Sequence, residues 1–280
     1  MEQNTQEWLD FRRNKIGASD APVIMGISPY NTPFKLWEQK VFGKQTEQNS
    51  AMARGHALEE TARHAFEKKT GIVVMPKVVV HPQREWQMAS IDGLSFCGSI
   101  FVEIKCPNKE VHQMAERGEI PPHYYAQMQH QMSVLDAQEG YYFSFNGVEG
   151  ALVRVARESS FINTMLEQEE NFLEMMKKKD SPALTDKDYV PQDNSKWLTL
   201  AEEWKQLDDY IKSLEAQRDE TRKLLIGLAD GQSSRGGGIR ATKTLCKGTV
   251  DYKKIPELKG IDLETYRKPS FEKWTLAACK

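Results

Sequence analysis

Cysteine is scarce in this chain and widely scattered. There are four, Cys97, Cys106, Cys246 and Cys279, and no two form a Cys-x-x-Cys pair. Neither a zinc site nor a disulfide framework is therefore indicated, and a reducing, cytoplasmic setting is expected. Long hydrophobic runs are also missing. Nothing approaches the roughly 18 uncharged apolar residues of a membrane-spanning helix, and the polar start, Met1 to Thr5, lacks the apolar heart of a signal peptide. His64, His81, His112, His123 and His130 show no spacing that sets two imidazoles on one face for a metal. Nor is there a strong overall charge, since the net value is −2. The distribution says more: residues 235–280 hold eleven Lys and Arg against five Asp and Glu, which leaves residues 1–234 at −8. An acidic body that handles nucleic acid needs a locally basic groove or a bound cation.

The 280 residues, 39% of them apolar, suffice for one large domain and an appendage. Periodicity predicts a short helix over 5–14. A turn at Ile16-Gly17-Ala18-Ser19-Asp20 leads into a second helix with Ser19 or Asp20 as N-cap, and a third runs from Thr32-Pro33 to Gly43. A longer helix over 52–70 closes at Gly71. Strands are expected over 72–80, 87–91 and 96–106, a helix over 123–137, strands over 141–145 and 151–156, and a helix from Ser159 or Ser160 to Lys179. Residues 181–194 have linker composition, so the division expected is 1–180, a linker, and 195–280. Beyond the linker, Trp197, Leu200, Trp204, Leu207, Ile211 and Leu214 follow 3–4 spacing on a long helix over 197–228. That stripe reads as packing surface. A basic region follows, with strand-like stretches at 239–245 and 270–276. The fold class is α/β: a central mixed sheet flanked by helices, with a helical arm and a small C-terminal appendage.

The chemistry concentrates at Asp92 and at Glu103-Ile104-Lys105. Residues two apart on a strand share a face, so Glu103 and Lys105 project together, and a hairpin can bring Asp92 beside them. Two carboxylates bind a hard divalent cation such as Mg²⁺ through oxygen. An adjacent ammonium can position or deprotonate a water and offset charge on a phosphate under attack. That combination suits metal-dependent phosphodiester hydrolysis, although the same spacing also occurs on ordinary solvated strand edges.

The wider context resembles the YqaJ-like viral recombinase family of phage-type nucleases, which is related to lambda exonuclease within the PD-(D/E)xK superfamily. The landmarks span about residues 7–175. They are Arg12-Arg13 before Ile16-Gly17-Ala18-Ser19-Asp20, Ser28-Pro29-Tyr30 before Leu36-Trp37, and Arg54-Gly55-x-x-x-Glu59. They continue with Ile91-Asp92-Gly93, Glu103-Ile104-Lys105-Cys106-Pro107 and Tyr124-x-x-Gln127-x-Gln129. Ile91 stands where the motif's name has proline, which alters the turn and not the ligands. The resemblance implies a PD-(D/E)xK restriction-endonuclease-like core in which Asp92, Glu103 and the Ile104 carbonyl are metal ligands and Lys105 is the catalytic lysine. It implies that Glu59 supports a second ion and that Gln127 lines the site. Arg12 and Ser19 are expected to hold a 5′-phosphate, and Arg54 and Tyr124 to contact phosphate or DNA. On the residues alone, Glu59-Glu60 also fits a solvent-facing pair, Gln127, Gln129 and Gln131 a plain polar face, and Arg13 the role given to Arg12.

The resemblance further implies a Mg²⁺-dependent DNA exonuclease, with two ions and Mn²⁺ as a substitute. It would resect linear double-stranded DNA 5′ to 3′ in a bacterial or phage-infected cell. Its partners would be DNA ends and a phage-type single-strand annealing protein, and it would assemble as a homo-oligomer of the trimeric-ring kind, with no membrane involved. A structure-specific or nicking endonuclease and a non-catalytic recombination scaffold are the alternatives. End dependence separates the first, and a missing Mg²⁺ site would favour the second.

Overall fold

A computed structural model describes residues 6–43 and 50–246, and a few positions beyond them (248, 249, 255, 256, 261, 266 and 268). The chain divides into two compact units, Met1–Tyr189 and Val190–Lys280. The expected strand over 270–276 lies outside the described residues.

The first unit begins with helix α1 (Gln6–Arg13), the two-residue strand β1 (Ile16–Gly17) and the helix α2 (Ala21–Ile24). Helix α3 (Pro33–Phe42) is delimited by local chemistry. The Thr32 hydroxyl accepts the Lys35 N–H at 3.1 Å, Pro33 occupies the first turn where no N–H is needed, and Gly43 closes the helix at φ +70°. Helix α4 (Ser50–Thr70) leads into strands β2 (Val74–Val80), β3 (Gln87–Ser95) and β4 (Phe101–Lys105). Helices α5 (Lys109–Glu116) and α6 (Pro122–Leu135), strands β5 (Glu139–Phe145) and β6 (Gly150–Ala156), and helix α7 (Ser159–Lys178) complete the unit.

The sheet is mixed. Strand β3 pairs antiparallel with β2 along most of its length and with β4 at Gly93 and Leu94, and parallel with β1 at Gln87 and Met88. Strands β4 and β5 run parallel, and β6 returns antiparallel to β5. Alternation along the strands divides the core between two faces. Phe101 and Tyr142 pack with Met128 and Met132 of α6 and Ile162 and Met165 of α7. Val102, Ile104, Phe143 and Phe145 pack with Ala62 and Phe66 of α4. This is the expected sheet flanked by helices.

The expected strand limits need correction. Strand β3 continues through Asp92 to Ser95, and residues 96–100 form the turn, so the second strand begins at Phe101 and not at 96. Gly93 looks like a turn residue in sequence. It sits instead where a Cβ would lie 2.6 Å from Val74 Cγ2 and 2.7 Å from Val102 Cγ1, so the neighbouring strands approach only because it has no side chain. Gly93→Ala is expected to destabilise the unit by about 1–3 kcal/mol through overpacking and to lower hydrolysis with it. A melting temperature unchanged from the parent would refute this.

In the second unit, Asn194 caps helix α8 (Ser195–Leu228), its side chain accepting the Trp197 N–H at 2.8 Å. A hairpin of β7 (Ser234–Gly236) and β8 (Ile239–Ala241) turns at Gly237 and Gly238, both at positive φ. No residue of α8 is buried, so the expected packing stripe is exposed. Among the described residues no helix is long and apolar enough to cross a membrane.

Candidate active site

Asp92 lies inside β3, and Glu103 and Lys105 lie on one face of β4, with Val102 and Ile104 turned to the α4 side. Glu103 is fully buried, and its Oε1 is ion-paired with Lys105 Nζ. The Ile104 N–H donates to Asp92 Oδ2 at 2.8 Å, which fixes that carboxylate beside β4. Ile104, whose carbonyl is an expected ligand, sits in register with Phe143 of β5.

Helix α6 closes the site from above. Gln127 Nε2 donates to Glu103 Oε1 at 2.6 Å, and Gln131 Nε2 donates to Glu103 Oε2. Tyr124 lies on the same helical face, with Lys105 Nζ 5.4 Å from its ring centroid. Its ring stacks on Tyr142 at 5.7 Å, and burial pushes its hydroxyl up to about 12. Gln129 points away and ties the Ala156 carbonyl and Glu158 N–H together. The sequence reading singled out Gln127 and missed Gln131. The available signal was its position four residues on from Gln127, which places both amides on one face.

The electrostatics call for a cation. Burial and then Glu103 push the Asp92 carboxyl up to about 8, and Glu59 of α4 adds to the rise. Burial works against the Lys105 ammonium, yet Glu103 and Asp92 overcome it and hold its pKa above the ordinary lysine range. One ammonium does not balance this acidic set. Among the described residues no three His, Cys, Asp or Glu side chains form a ready metal cage. Asp92 and Glu103 are the side-chain oxygens that could hold a cation here, and Glu59 adds to the negative charge felt at Asp92. That chemistry fits a hard divalent cation.

The N-terminal residues form the site's other wall. Arg12 Nη2 donates to Ser19 Oγ at 2.6 Å and to Asp20 Oδ1 at 3.0 Å. Asp20 occupies the N-cap position of α2, but its side chain makes no cap bond and the helix has only four residues. Asp20 instead accepts the Gly17 N–H at 2.9 Å and pairs with Lys40 at 2.7 Å. Arg13 is committed elsewhere, donating to the carbonyls of Lys40 and Val41 at 2.9 and 2.7 Å. Arg12, Gly17, Ala18, Ser19, Met88, Ser90 and Gln127 line a cleft of about 40 Å³, so the Arg12–Ser19 pair shares this space with Gln127, one of the two amides on Glu103. The side chain of Arg54 lies outside the described residues.

A mixed sheet flanked by helices, with two acids and a lysine brought together on adjacent strands, defines a PD-(D/E)xK-like core. Residues 7–138 match the family model of the YqaJ-like viral recombinase domain. The uncharacterized protein YqaJ of Bacillus subtilis (strain 168) is 33% identical over 138 residues, which are 48% of this chain and 43% of that protein. The chain thus spans less than half the length of that curated relative. Among solved structures, the alkaline exonuclease LHK-Exo from Laribacter hongkongensis is similar at a TM-score of 0.55 and 29% identity, covering 62% of this chain and 94% of that one. The complex of LHK-Exo with dAMP matches to the same extent.

Proposed function

We propose that this chain is a Mg²⁺-dependent deoxyribonuclease that degrades linear double-stranded DNA from its ends, 5′ to 3′, and leaves 3′ single strands for recombination by strand annealing. The observation that carries the reading is the meeting of Asp92, Glu103 and Lys105, with Gln127 bonded to Glu103 and also lining the cleft of Arg12 and Ser19. The likeness to an alkaline exonuclease, one of whose crystals holds dAMP, supports the same substrate class.

Asp92, Glu103, the Ile104 carbonyl and Glu59 would hold Mg²⁺, as two ions, with Mn²⁺ as a substitute. When bound, the cation polarises the phosphate and lowers the pKa of attacking water. The chain's own residues do the rest. Gln127 and Gln131 fix the two oxygens of Glu103 and so hold its orientation. Lys105 carries three N–H donors, which can direct a water at phosphorus and offset charge on the phosphate oxygens. Tyr124 covers the ammonium and keeps it over the site. Arg12, with its forked donors, and Ser19 would receive the terminal 5′-phosphate. Arg54 is assigned to the DNA backbone on the family pattern alone.

The test is a gel assay with Mg²⁺ on linear duplexes carrying a 5′-phosphate at one end, with closed circular DNA alongside. Loss from the phosphorylated end with circles intact is the expected result. Nicked or linearised circles would mean an endonuclease, and no cleavage of either would leave a scaffold. In the same assay Arg12→Ala should cost at least about tenfold on phosphorylated ends, the worth of one charge-assisted hydrogen bond, and little on hydroxyl ends. An equal loss on both would make Arg12 a general backbone contact.

A further inference from the structure

Helix α8 is 34 residues long, roughly 50 Å at 1.5 Å per residue, and its apolar stripe has no cover in the described structure. Trp197, Leu200, Leu207, Ile211, Leu214 and Leu228 are each between 45 and 84% exposed. The stripe extends further than its first six members. From Trp197 the spacing alternates three and four without a break through Leu225 and Leu228, interrupted in chemistry only by Arg218 and Thr221. Ion pairs at Glu202–Lys205, Asp208–Lys212 and Glu220–Lys223 occupy positions off this line, as a solvent face would.

The period identifies the kind of cover. A straight helix drifts by about 20° per heptad against a strict seven-residue repeat, so over 31 residues the stripe would wander by roughly 90°. A flat protein surface meets only part of a stripe that wanders so far. A second helix that supercoils with the first uses all of it. Among the described residues this chain has no other free helix of that kind. Helices α4 and α7, of 21 and 20 residues, bury Ala62 and Phe66, and Met165, against the sheet, and α7 buries Phe172 with Val23, Leu36 and Trp37 of α2 and α3. The complementary helix available is α8 of another copy.

We propose that α8 pairs with α8 of a second copy of this chain as an antiparallel two-stranded coiled coil. Charge sets the direction. A parallel pairing in register would place Arg218 against Arg218 in one core layer and Glu203 beside Asp208 on the flank, both repulsive. The antiparallel alignment with ends matched sets Trp197 against Leu228, Ile211 against Leu214, and Arg218 against Leu207 with the Asp208 carboxylate next to it. The area is adequate. Four tryptophans in the pair can bury about 600–1,000 Å² at roughly 150–250 Å² each, and twelve Leu and Ile residues carry the total into the range of about 1,200–2,000 Å² typical of stable interfaces. Such a seam joins copies in twos, unlike the threefold ring implied by the family resemblance.

The experiment is light scattering on the full chain, with and without the double substitution Ile211→Glu/Leu214→Glu. The expected mass is about twice the 32.1 kDa of one chain, and it should halve in the variant while the melting transition of the first unit stays in place. A full chain that is monomeric at tens of micromolar would overturn the proposal. So would an assembly, threefold or otherwise, whose mass the substitution does not move. Direction is read separately, with the native cysteines replaced by serine. Leu200→Cys/Leu225→Cys should close disulfides between copies and Leu200→Cys alone should not. Closure by Leu200→Cys alone would mean parallel helices.

Discussion

Replacing Lys105 by alanine is expected to slow DNA hydrolysis by about 10²–10³-fold, the range for removing one preorganised donor aimed at developing charge, while DNA binding persists. The expectation rests on where the side chain sits. Its Nζ is ion-paired with Glu103, lies under the Tyr124 ring and is held cationic by two acids, so its donors are aimed at the centre of the site before any substrate arrives. Removing it also removes the cation that partly offsets Asp92 and Glu103. The unfolding transition should therefore be recorded with Mg²⁺ present, where loss of that pairing is compensated. Binding of linear duplex, measured in Ca²⁺ to prevent turnover, separates a chemical defect from a binding one. A Lys105→Ala protein that cuts within about threefold of the parent rate would remove the lysine from the mechanism, whatever became of Asp92 and Glu103.

The parts of this site that were legible in the sequence are those governed by short-range geometry. The two-residue repeat of a strand puts Glu103 and Lys105 together whatever the rest of the fold does. The hairpin to Asp92 needs only a turn between two apolar runs. The caps of α3, Thr32 and Gly43, are equally local. What escaped depends on partners distant in sequence. Strand β3 runs on through Gly93 to Ser95 because β2 and β4 hold it there, and tertiary pairing of that kind overrides the turn propensity of glycine and serine. Gln131 gains its role from Glu103, 28 residues earlier; its four-residue offset from Gln127 shows the shared face but not that partner. Helix α5 has no counterpart among the expected elements: Lys109–Glu116 is short and mostly polar, and periodicity over eight residues is a weak signal. Asp20 stands at the expected N-cap of α2, but its side chain serves Arg12 of α1, the Gly17 N–H and Lys40 of α3, partners that no cap pattern reveals.

Asp20 carries the second large expected effect, which falls on stability. Asp20 and Lys40 are nearly sealed from solvent, with side chains 6% exposed on both sides of a 2.7 Å ion pair. Lys40 also donates to the Arg12 and Lys15 carbonyls at 3.2 and 2.7 Å, so this pair joins α3 to the turn after α1 that carries Arg12. Removing one member of a buried pair leaves the other uncompensated, which typically costs about 3–5 kcal/mol. Asp20→Ala should therefore lower the melting temperature by roughly 6–20 °C at about 2–4 °C per kcal/mol for a unit of this size. The pH dependence fixes the assignment. Burial opposes the Asp20 carboxylate, but Lys40, Arg12 and the Gly17 N–H outweigh it and hold its pKa well below the ordinary carboxylate range. A carboxyl depressed in the folded state binds fewer protons there than in the unfolded chain, so its contribution is fully present above the unfolded value of about 3.9. That contribution drains away as pH falls below this toward the folded value. The stability gap between parent and Asp20→Ala should accordingly be constant from pH 7 to 5 and narrow steadily below about pH 4. If the gap persisted undiminished at pH 2.5, Asp20 would owe its effect to packing and not to charge.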